Sequence, residues 1–289
     1  MKIGYFGSGA LGLSTLLATE SSFVPAFIAT DQNSLGVADY AVKKGIRLFK
    51  GNPRDARLAD FLKNETFDLF LSVNYLFILE NDIIKLAKHA INLHGSLLPK
   101  YRGRTPHIWA IINNENKTGI TAHIIKDVCD AGDVVLQREV KIETNDTGAD
   151  ILKKFQIVYP EIIKEILNRA KAEKLFGISQ NELLATYFGK RKPEDGLIDW
   201  NWQKERIRNW VRAQAAPYPG SFTYYDNDKL IIDELSWSDF GYNQNQPNGL
   251  ILKVFPKVLV KTPNGVVQLE SYRFDQTQLV EGKILKSCI

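Results

Sequence analysis

The sequence has few cysteines, few histidines and no long apolar run, and each shortage narrows what the protein can be. Its two cysteines, Cys129 and Cys288, form neither a disulfide framework nor a metal-binding spacing, so we expect a reducing compartment and no metal site. No apolar stretch approaches the roughly 20 residues of a membrane span. The N-terminal residues lack the apolar core of a signal peptide. These absences predict a cytoplasmic protein with no membrane partner.

The sequence also lacks a large excess of charge of either sign. Lys and Arg number 37 against 33 for Asp and Glu, which leaves a net charge of +4. This excess suits an anionic ligand, but it is equally common in proteins that bind none. It is far below the basicity of a dedicated nucleic-acid-binding domain, so no nucleic-acid partner is expected. Hydrophobic residues make up 44% of the chain, which is enough for a folded core.

Short apolar runs alternate with helical patterns over the first 94 residues. An apolar run at 2–6 is followed by the glycine turn of residues 7–12 and by a helix from residue 11 to residue 19. The alternation continues through predicted strands at 23–30, 46–49, 69–73 and 90–94 and predicted helices at 37–44, 57–63 and 82–88. Such alternation predicts an α/β fold with a doubly wound, Rossmann-like, mainly parallel sheet.

The pattern changes in the rest of the chain. It predicts a helix at 109–113, strands at 119–125 and 134–142, and a long amphipathic helix at 147–174. After a helix at 203–215, frequent turn signals and a hairpin at 258–269 favour a smaller β-rich, OB-like unit. We therefore predict a catalytic domain at 1–185, a linker at 186–202 and a C-terminal domain at 203–289.

The densest group of reactive side chains follows the strand at 90–94. Asn92 and His94 alternate on this strand, so both side chains share one face at the end where open α/β sheets bind ligands. A core histidine next to an Asn turn is the ordinary alternative. The loop that follows contains Lys100, Arg102 and Arg104 with glycine and proline, which favours a binding site.

A second polar group lies at residues 127–133, with the sequence DVCDAGD. Its ordinary interpretation is a turn with Gly132 at a positive φ angle. Its functional interpretation is a carboxylate held beside His94. Composition and spacing do not decide between the two.

Two further segments have weaker patterns. The turn GSGALG at 7–12 is an imperfect dinucleotide fingerprint, and the turn Thr30-Asp31 replaces the expected ribose-binding acid about 20 positions on, so nicotinamide binding is disfavoured. The stretch from Tyr187 to Lys192 combines aromatic and basic residues that would suit a nucleotide, although such runs are more often solvated linkers.

These motifs together resemble those of the folate-dependent formyltransferases. The segment Asn92-x-His94-x-Ser-Leu-Leu-Pro, followed by Tyr-Arg-Gly, is similar to the family hallmark, and Asp130-x-Gly-Asp133 is similar to its later motif. Further likeness extends over about residues 1–270. The nucleotide-sugar branch resembles this chain most, both the formyltransferase part of the UDP-4-amino-4-deoxy-arabinose enzyme and the enzymes of dTDP-linked amino-dideoxy sugars.

The resemblance implies a chemistry in which an amine attacks the formyl carbon of 10-formyltetrahydrofolate. Asn92 would donate a hydrogen bond to the formyl oxygen, and His94 would stabilise an oxyanion or move a proton. Asp130 would orient His94 and help to take the amine proton. The residues that the resemblance assigns to the folate are Ser72, Tyr75, Phe77, Ile78, Asp127 and Asp133.

The resemblance also bears on the acceptor. The loop at 30–37 has no Lys or Arg, unlike the basic loop of the tRNA enzymes, so a nucleotide-linked amino sugar is favoured, above all dTDP-4-amino-4,6-dideoxyglucose for O-antigen synthesis. UDP-4-amino-4-deoxy-arabinose and methionyl-tRNA stay as alternatives. Family likeness implies a homodimer. The expected sugar-nucleotide contacts are Ser8, Gly9, Arg102, Arg104, His107, Trp109, Tyr187, Lys190 and Arg191.

Overall fold

The computed structural model describes residues 1–54, 56–63, 65–274 and 278–287, so Cys288 lies outside the described residues. Contacts divide the chain into two compact units. The first unit comprises Met1–Pro106, Thr118–Lys141 and Leu152–Phe188. The second comprises His107–Lys117, Ile142–Ile151 and the chain from Gly189 onward. Two short stretches of the predicted catalytic domain thus group with the C-terminal part, and the boundaries drawn from the sequence stay a prediction.

The first unit alternates strands and helices. Its strands are β1 Ile3–Gly7, β2 Phe27–Thr30, β3 Arg47–Lys50, β4 Phe67–Val73, β5 Ala87–His94, β6 Arg102–Gly103, β7 Lys117–Ile124, β8 Val134–Lys141 and β9 Tyr187–Phe188. The helices over the same part of the chain are α1 Gly9–Thr19, α2 Leu35–Lys43, α3 Arg57–Leu62, α4 Asn81–Ile84, α5 Pro106–Ile112 and α6 Gly148–Lys171. Within the described ranges, no helix has both the length and the apolarity needed to cross a membrane.

The sheet of the first unit is mainly parallel, as the sequence predicted. Its strand order over the described residues is β3-β2-β1-β4-β5-β7-β8. The pairs from β3 to β5 are parallel, and β7 is antiparallel to β5. The chain leaves β1 on one side for β2 and β3, and it returns to the other side with β4. This reversal creates the crevice at the carboxyl ends of the strands where such sheets bind ligands.

Two sequence-based element bounds were wrong. The strand predicted at 23–30 begins only at Phe27, after a turn and a proline. The helix predicted at 82–88 ends at Ile84, and Ala87 and Lys88 belong to β5 instead. Parallel pairing of Ala87 with Phe67 of β4 supplies backbone hydrogen bonds that the helical pattern does not anticipate.

From Gly189 onward, the second unit contains an antiparallel sheet and the helix α7 Lys204–Ala213. Its strands are β10 Ser221–Tyr225, β11 Asp228–Ser238, β12 Ile251–Lys253, β13 Val258–Thr262, β14 Gly265–Arg273 and β15 Leu285–Lys286. The order over the described residues is β12-β13-β14-β11-β10-β15, and a bridge between Leu250 and Ile284 joins its two edges. The sheet therefore curls into a near-barrel, which confirms the predicted β-rich unit and its hairpin.

Aromatic rings fill one side of the first sheet. Phe6, Phe27 and Phe70 are fully buried and meet edge to face, with ring centroids 5.1–5.9 Å apart. Gly4 of β1 lies beneath them, and an added Cβ would stand 2.4 Å from the ring of Phe27. The glycine makes room for the rings, and their packing fixes β1 between β2 and β4.

Candidate active site

Polar side chains from three neighbouring strands meet near the end of β5. Asn92 and His94 are two residues apart, so they project from one face of the sheet, as expected. The register places Asn92 between Ser72 of β4 and His123 of β7, and it places His94 beside Thr121 of β7. The sheet therefore brings a second histidine next to the predicted pair.

His94 is almost fully buried and is held on both sides of its ring. Its Nε2 lies 2.7 Å from the carbonyl oxygen of Tyr101, which can only accept, so Nε2 carries a proton. Its Nδ1 lies 3.5 Å from Oδ2 of Asp130, beyond a normal hydrogen bond. Burial lowers the pKa of His94 below its usual value, and Asp130 offsets only part of this effect. At neutral pH the ring is therefore neutral, with an Nδ1 lone pair that can receive a proton.

Asp130 comes to His94 from the loop after β7. Its φ angle is 56°, in the left-handed region, and its Oδ2 accepts a hydrogen bond of 2.9 Å from the backbone N–H of Gly103. Burial alone would raise the pKa of this carboxyl. The neighbouring rings of His94 and His123 and the hydrogen bond from the Gly103 N–H outweigh burial and hold the pKa well below its usual range. Asp130 is therefore a charged group at any physiological pH.

Gly132 is needed in this loop for a different reason from the one predicted. It does not have a positive φ angle, whereas Asp130 does, so that prediction was wrong. A Cβ added to Gly132 would lie 1.6 Å from the backbone oxygen of Ile124. The backbone comes this close because Ile124 donates its N–H to the carbonyl of Asp133. Contact with the backbone therefore excludes any side chain at position 132.

His123 is the site residue that the sequence did not single out. Its Nδ1 donates to the carbonyl of Ile124 at 2.9 Å, so Nε2 is free to accept from the Asn92 amide at 3.1 Å. The same Nε2 lies 3.4 Å from Oδ1 of Asp130. His123 thus fixes the orientation of Asn92 and flanks the carboxylate opposite His94. Its alternation with Thr121 on a strand was the only signal, and one strand cannot show what the next one carries.

The side chain of Arg102, an expected sugar-nucleotide contact, is surrounded by protein groups instead. Its side chain is fully buried, and its Nη1 and Nη2 donate to the two carboxylate oxygens of Glu182 at 2.8 and 2.6 Å. It also donates to Gln180 and to the hydroxyl of Tyr187. Because these partners surround the guanidinium, we assign Arg102 to holding the side chains of Gln180, Glu182 and Tyr187 rather than substrate. The ring of Tyr187 itself is largely exposed.

Strand β4 and the loop that follows it carry four of the residues expected at the folate. Ser72 is buried on the strand, and Ile78 is exposed. The ring of Tyr75 packs edge-on against Phe77, with centroids 5.5 Å apart. Arg104 donates to the carbonyl of Leu76 in this loop at 2.7 Å, so it links the predicted folate loop to the loop after β5.

The other two residues expected at the folate flank the loop of Asp130. Asp127 is exposed. Asp133 accepts a hydrogen bond of 2.8 Å from Lys126, and this contact lowers the pKa of its carboxyl. Asp133 therefore forms an ordinary surface ion pair. The backbone of this loop is a better candidate than the Asp133 side chain for contact with the folate.

The turn after β1 lies at the crevice of the first sheet. Ser8 is buried, and its carbonyl accepts a hydrogen bond of 3.0 Å from Asn74. Gly9 has a φ angle of 63° and donates its N–H to Ser34, which in turn donates to Asp31. The Asp31 carboxylate is thus engaged with the start of α2.

The remaining expected contacts belong to the second unit. His107 is buried and shares a hydrogen bond of 2.8 Å with the hydroxyl of Tyr218. The guanidinium of Arg191 lies between the rings of Trp109 and Trp210, at 4.9 and 4.3 Å from their centroids. These contacts stabilise the second unit itself.

One cation within the predicted nucleotide-binding stretch, Arg191, is also engaged. Arg191 donates from Nη2 to the carbonyl of Asp195 and to the side chain of Gln214, at 2.6 and 2.9 Å. Burial lowers the pKa of its guanidinium. Lys190, next to it, is exposed, and of the two it is the better placed to meet a ligand.

Comparison with known proteins agrees with this arrangement. The formyl transferase family model matches residues 22–167, and the model of the formyl transferase C-terminal domain matches residues 190–287. The bifunctional polymyxin resistance protein ArnA of Wigglesworthia glossinidia brevipalpis is 33% identical over 264 residues, or 88% of this chain. The chain spans only 40% of the length of ArnA.

Solved structures of similar fold include N-formyltransferases. That of Helicobacter canadensis, in complex with folinic acid and dTDP-3-aminofucose, has a TM-score of 0.73 at 20% identity and covers 93% of this chain and 98% of its own. A 4-N formyltransferase of Francisella tularensis has a TM-score of 0.67 at 21% identity and covers 79% and 94%. The two family models cover most of the chain, including Asn92, His94 and Asp130, and the chain therefore belongs to the formyltransferase family.

Proposed function

We propose that this protein transfers a formyl group from 10-formyltetrahydrofolate to the amine of a nucleotide-linked amino sugar. The observation that carries the proposal is the meeting of Asn92, His94 and Asp130 at the end of β5 in a member of the formyltransferase family. Each supplies a different function: an amide donor, a neutral base and a fixed negative charge.

The first unit has groups that suit a folate. Among the described residues, the buried hydroxyl of Tyr75 has no hydrogen-bond partner, and such a polar atom is one that a ligand would satisfy. Burial raises the pKa of this phenol, so it remains a donor. Exposed Leu76 and Ile78 offer apolar surface beside it. When bound, the folate supplies the formyl carbon that the amine attacks.

The protons at the site then have assigned places. One amide proton of Asn92 binds His123, and the other remains to donate to the formyl oxygen. The amine proton goes to Nδ1 of His94, because the lowered pKa of this ring keeps it neutral beforehand. Asp130 is too weak a base to keep that proton, and its charge instead stabilises the protonated ring. His94 would then return the proton to the folate nitrogen as the bond between that nitrogen and the formyl carbon breaks.

Residues of this chain and two proteins of similar structure support a sugar nucleotide as the acceptor. The remaining proposed contacts with the sugar nucleotide are the turn of Ser8 and Gly9 and the exposed side chains of Arg104, Tyr187 and Lys190. The H. canadensis neighbour binds dTDP-3-aminofucose, and the F. tularensis neighbour is a 4-N formyltransferase, which supports a sugar amine as acceptor.

Within this class we favour dTDP-4-amino-4,6-dideoxyglucose as the acceptor, and we propose that the product is used in surface-polysaccharide synthesis. We also propose that the enzyme is a cytoplasmic homodimer. The likeness to ArnA supports a UDP-linked amino sugar as the alternative. A single acceptor panel separates these choices.

The test mixes purified protein and 10-formyltetrahydrofolate with dTDP- and UDP-linked 3-amino and 4-amino sugars and with charged initiator tRNA. Folate absorbance and product mass report transfer. We expect turnover with a dTDP-linked 4-amino sugar and none with the tRNA. Turnover with the tRNA and with no sugar would refute the proposed acceptor class.

Variants of the site test the assigned roles. His94→Ala and Asp130→Asn should each lower kcat by about 100-fold or more, since each removes a group that acts on the transferred proton. Asp39→Asn, an exposed carboxylate on α2, is the matched control and should keep the wild-type rate. Full activity of the His94 variant would contradict the mechanism.

A further inference from the structure

A segment near the end of the first unit crosses the loops of the active site. This strap, residues 178–188, pairs through β9 with β6 in the loop after β5. Its backbone exchanges hydrogen bonds with that loop, from Arg102 N to Thr186 O at 2.8 Å and from Arg104 N to Phe188 O at 3.0 Å. The rings of Tyr101 and Phe188 are stacked 5.0 Å apart. The strap is thus bound to the loop that holds His94 and Asp130.

Gln180 of the strap reaches the second catalytic loop as well. Its Nε2 donates to the backbone oxygens of Asp130 and Gly132, at 2.8 and 2.7 Å. Its Oε1 accepts from Nη2 of Arg102 at 2.7 Å. One side chain therefore ties the Asp130 loop to the loop after β5.

Two observations show why the Gln180 contacts matter for the position of Asp130 relative to His94. Asp130 adopts a left-handed backbone conformation, which costs free energy unless its surroundings hold it. Residues 127–129, which precede it, are exposed and offer little packing. Meanwhile the loop after β5 supplies both the Tyr101 carbonyl for His94 and the Gly103 N–H for Asp130.

We propose that Gln180 is a positioning residue that sets the distance between Asp130 and His94 by anchoring the Asp130 loop to Arg102. Arg102 fixes the other end, because its buried guanidinium is held by Glu182. The consequence for catalysis rests on the proposed formyl transfer. The positioning itself does not, and it can be measured without substrate.

Three variants separate this role from a general structural one. Gln180→Ala removes both donors and the acceptor, whereas Gln180→Glu keeps the acceptor for Arg102 and loses the two donors. Asn181→Ala is the matched control, because the Asn181 side chain caps only the backbone of Leu183. Thermal unfolding of each variant shows whether the fold is kept.

The first measurement is the pKa of His94, from NMR titration of its ring nitrogens in the free protein. Asp130 and His123 are the charged and titratable groups that act on this ring, and Asp130 in turn faces Cys129 and Tyr159. If Asp130 retreats, the pKa of His94 should fall by about 0.5–1 unit in Gln180→Ala, which adds no charge, and stay unchanged in the control. An unchanged His94 titration in a folded Gln180→Ala variant would overturn the proposal.

The second measurement is steady-state kinetics with the amino-sugar acceptor. Both Gln180 variants should lose about 10- to 100-fold in kcat, with KM for the sugar within about twofold of wild type. Wild-type kcat in both would overturn the proposal. If the wild-type protein formylates no sugar, the proposed function fails, and the His94 titration alone then decides the positioning role.

Discussion

The charge states of buried histidines follow from their neighbours rather than from their exposure alone. Burial lowers the pKa of both His94 and His107. His94 has Asp130 beside Nδ1, so a proton that arrives there is stabilised. His107 shares a hydrogen bond with the Tyr218 hydroxyl, and burial takes its pKa down to about 4. The first ring can therefore work with protons, whereas the second serves the fold as a neutral group.

His107 should make the stability of the second unit depend on pH. The pKa of His107 is about 4 in the folded protein against 6.5 for the free group, so the fold favours the neutral ring. The contribution of His107 to the free energy of unfolding is therefore complete above pH 6.5. The contribution is lost as pH falls from 6.5 towards 4, by about 2 kcal/mol at pH 5. We expect His107→Gln to be less stable than wild type at pH 7 and to lose this disadvantage at pH 5.

Urea unfolding of both proteins at the two pH values measures this difference. The shift of His94 is common to wild type and variant, so it cancels. A gap in the free energy of unfolding that is the same at pH 7 and pH 5 would contradict the assignment of a neutral, buried His107.

Among the elements, α7 holds a neighbouring stretch of the second unit through two arginines. Arg212 donates to the carbonyl of Asp146 at 2.6 Å, and Arg208 donates to Thr144 O and to the side chain of Asn145, at 2.9 and 2.6 Å. Burial and the charge of Arg208 lower the pKa of Arg212 to about 10, so its guanidinium remains charged. The helix thereby satisfies carbonyl groups just before α6.

Truncation of Arg212 should destabilise the second unit. Arg212→Ala leaves the carbonyl of Asp146 without its charged donor, and we expect a loss of about 2 kcal/mol. Arg206→Ala on the same helix removes an equal charge from an exposed site above Trp202 and should cost about 0.5 kcal/mol or less. Thermal unfolding of the two variants compares them, and equal losses would show that the carbonyl contacts contribute nothing.

At the scale of the whole molecule, the charge argues against a polyanionic partner. The net charge of +4 is small, and several cations are already engaged, Arg102 with Glu182 and Arg191 between two tryptophans. The loop from Thr30 to Val37 contributes no Lys or Arg. Binding to tRNA would depend on many phosphate contacts and would be sensitive to salt.

Bulk tRNA should therefore not compete with the sugar acceptor. At physiological ionic strength, saturating tRNA should change the rate of sugar formylation by less than about twofold. Initial rates with and without tRNA measure this effect, and free dTDP, which shares the acceptor's diphosphate, is the positive control for competition. Strong inhibition by tRNA that weakens as salt rises would point to a nucleic-acid acceptor instead.

Local patterns in the sequence by themselves predicted the main elements of the fold and two residues of the candidate site. The alternation of strands and helices predicted the parallel sheet, and the two-residue spacing of Asn92 and His94 put both on one face, because such periodicities are properties of a single strand or helix. The turn signals after residue 217 likewise predicted the near-barrel sheet. Asp130 needed the family resemblance, since a D-x-G-D turn has many uses.

The tertiary structure alone decided which distant residues meet. The antiparallel register of β5 and β7 brings His123 to Asn92, and no local pattern encodes the pairing partner of a strand. Long-range contacts likewise made Arg102, an expected sugar-nucleotide contact, the anchor of the strap, and made Gly132 necessary through close backbone contact. Asn92 and His94 thus come from the sequence, whereas the groups that hold Asp130 beside them depend on strand register and loop packing.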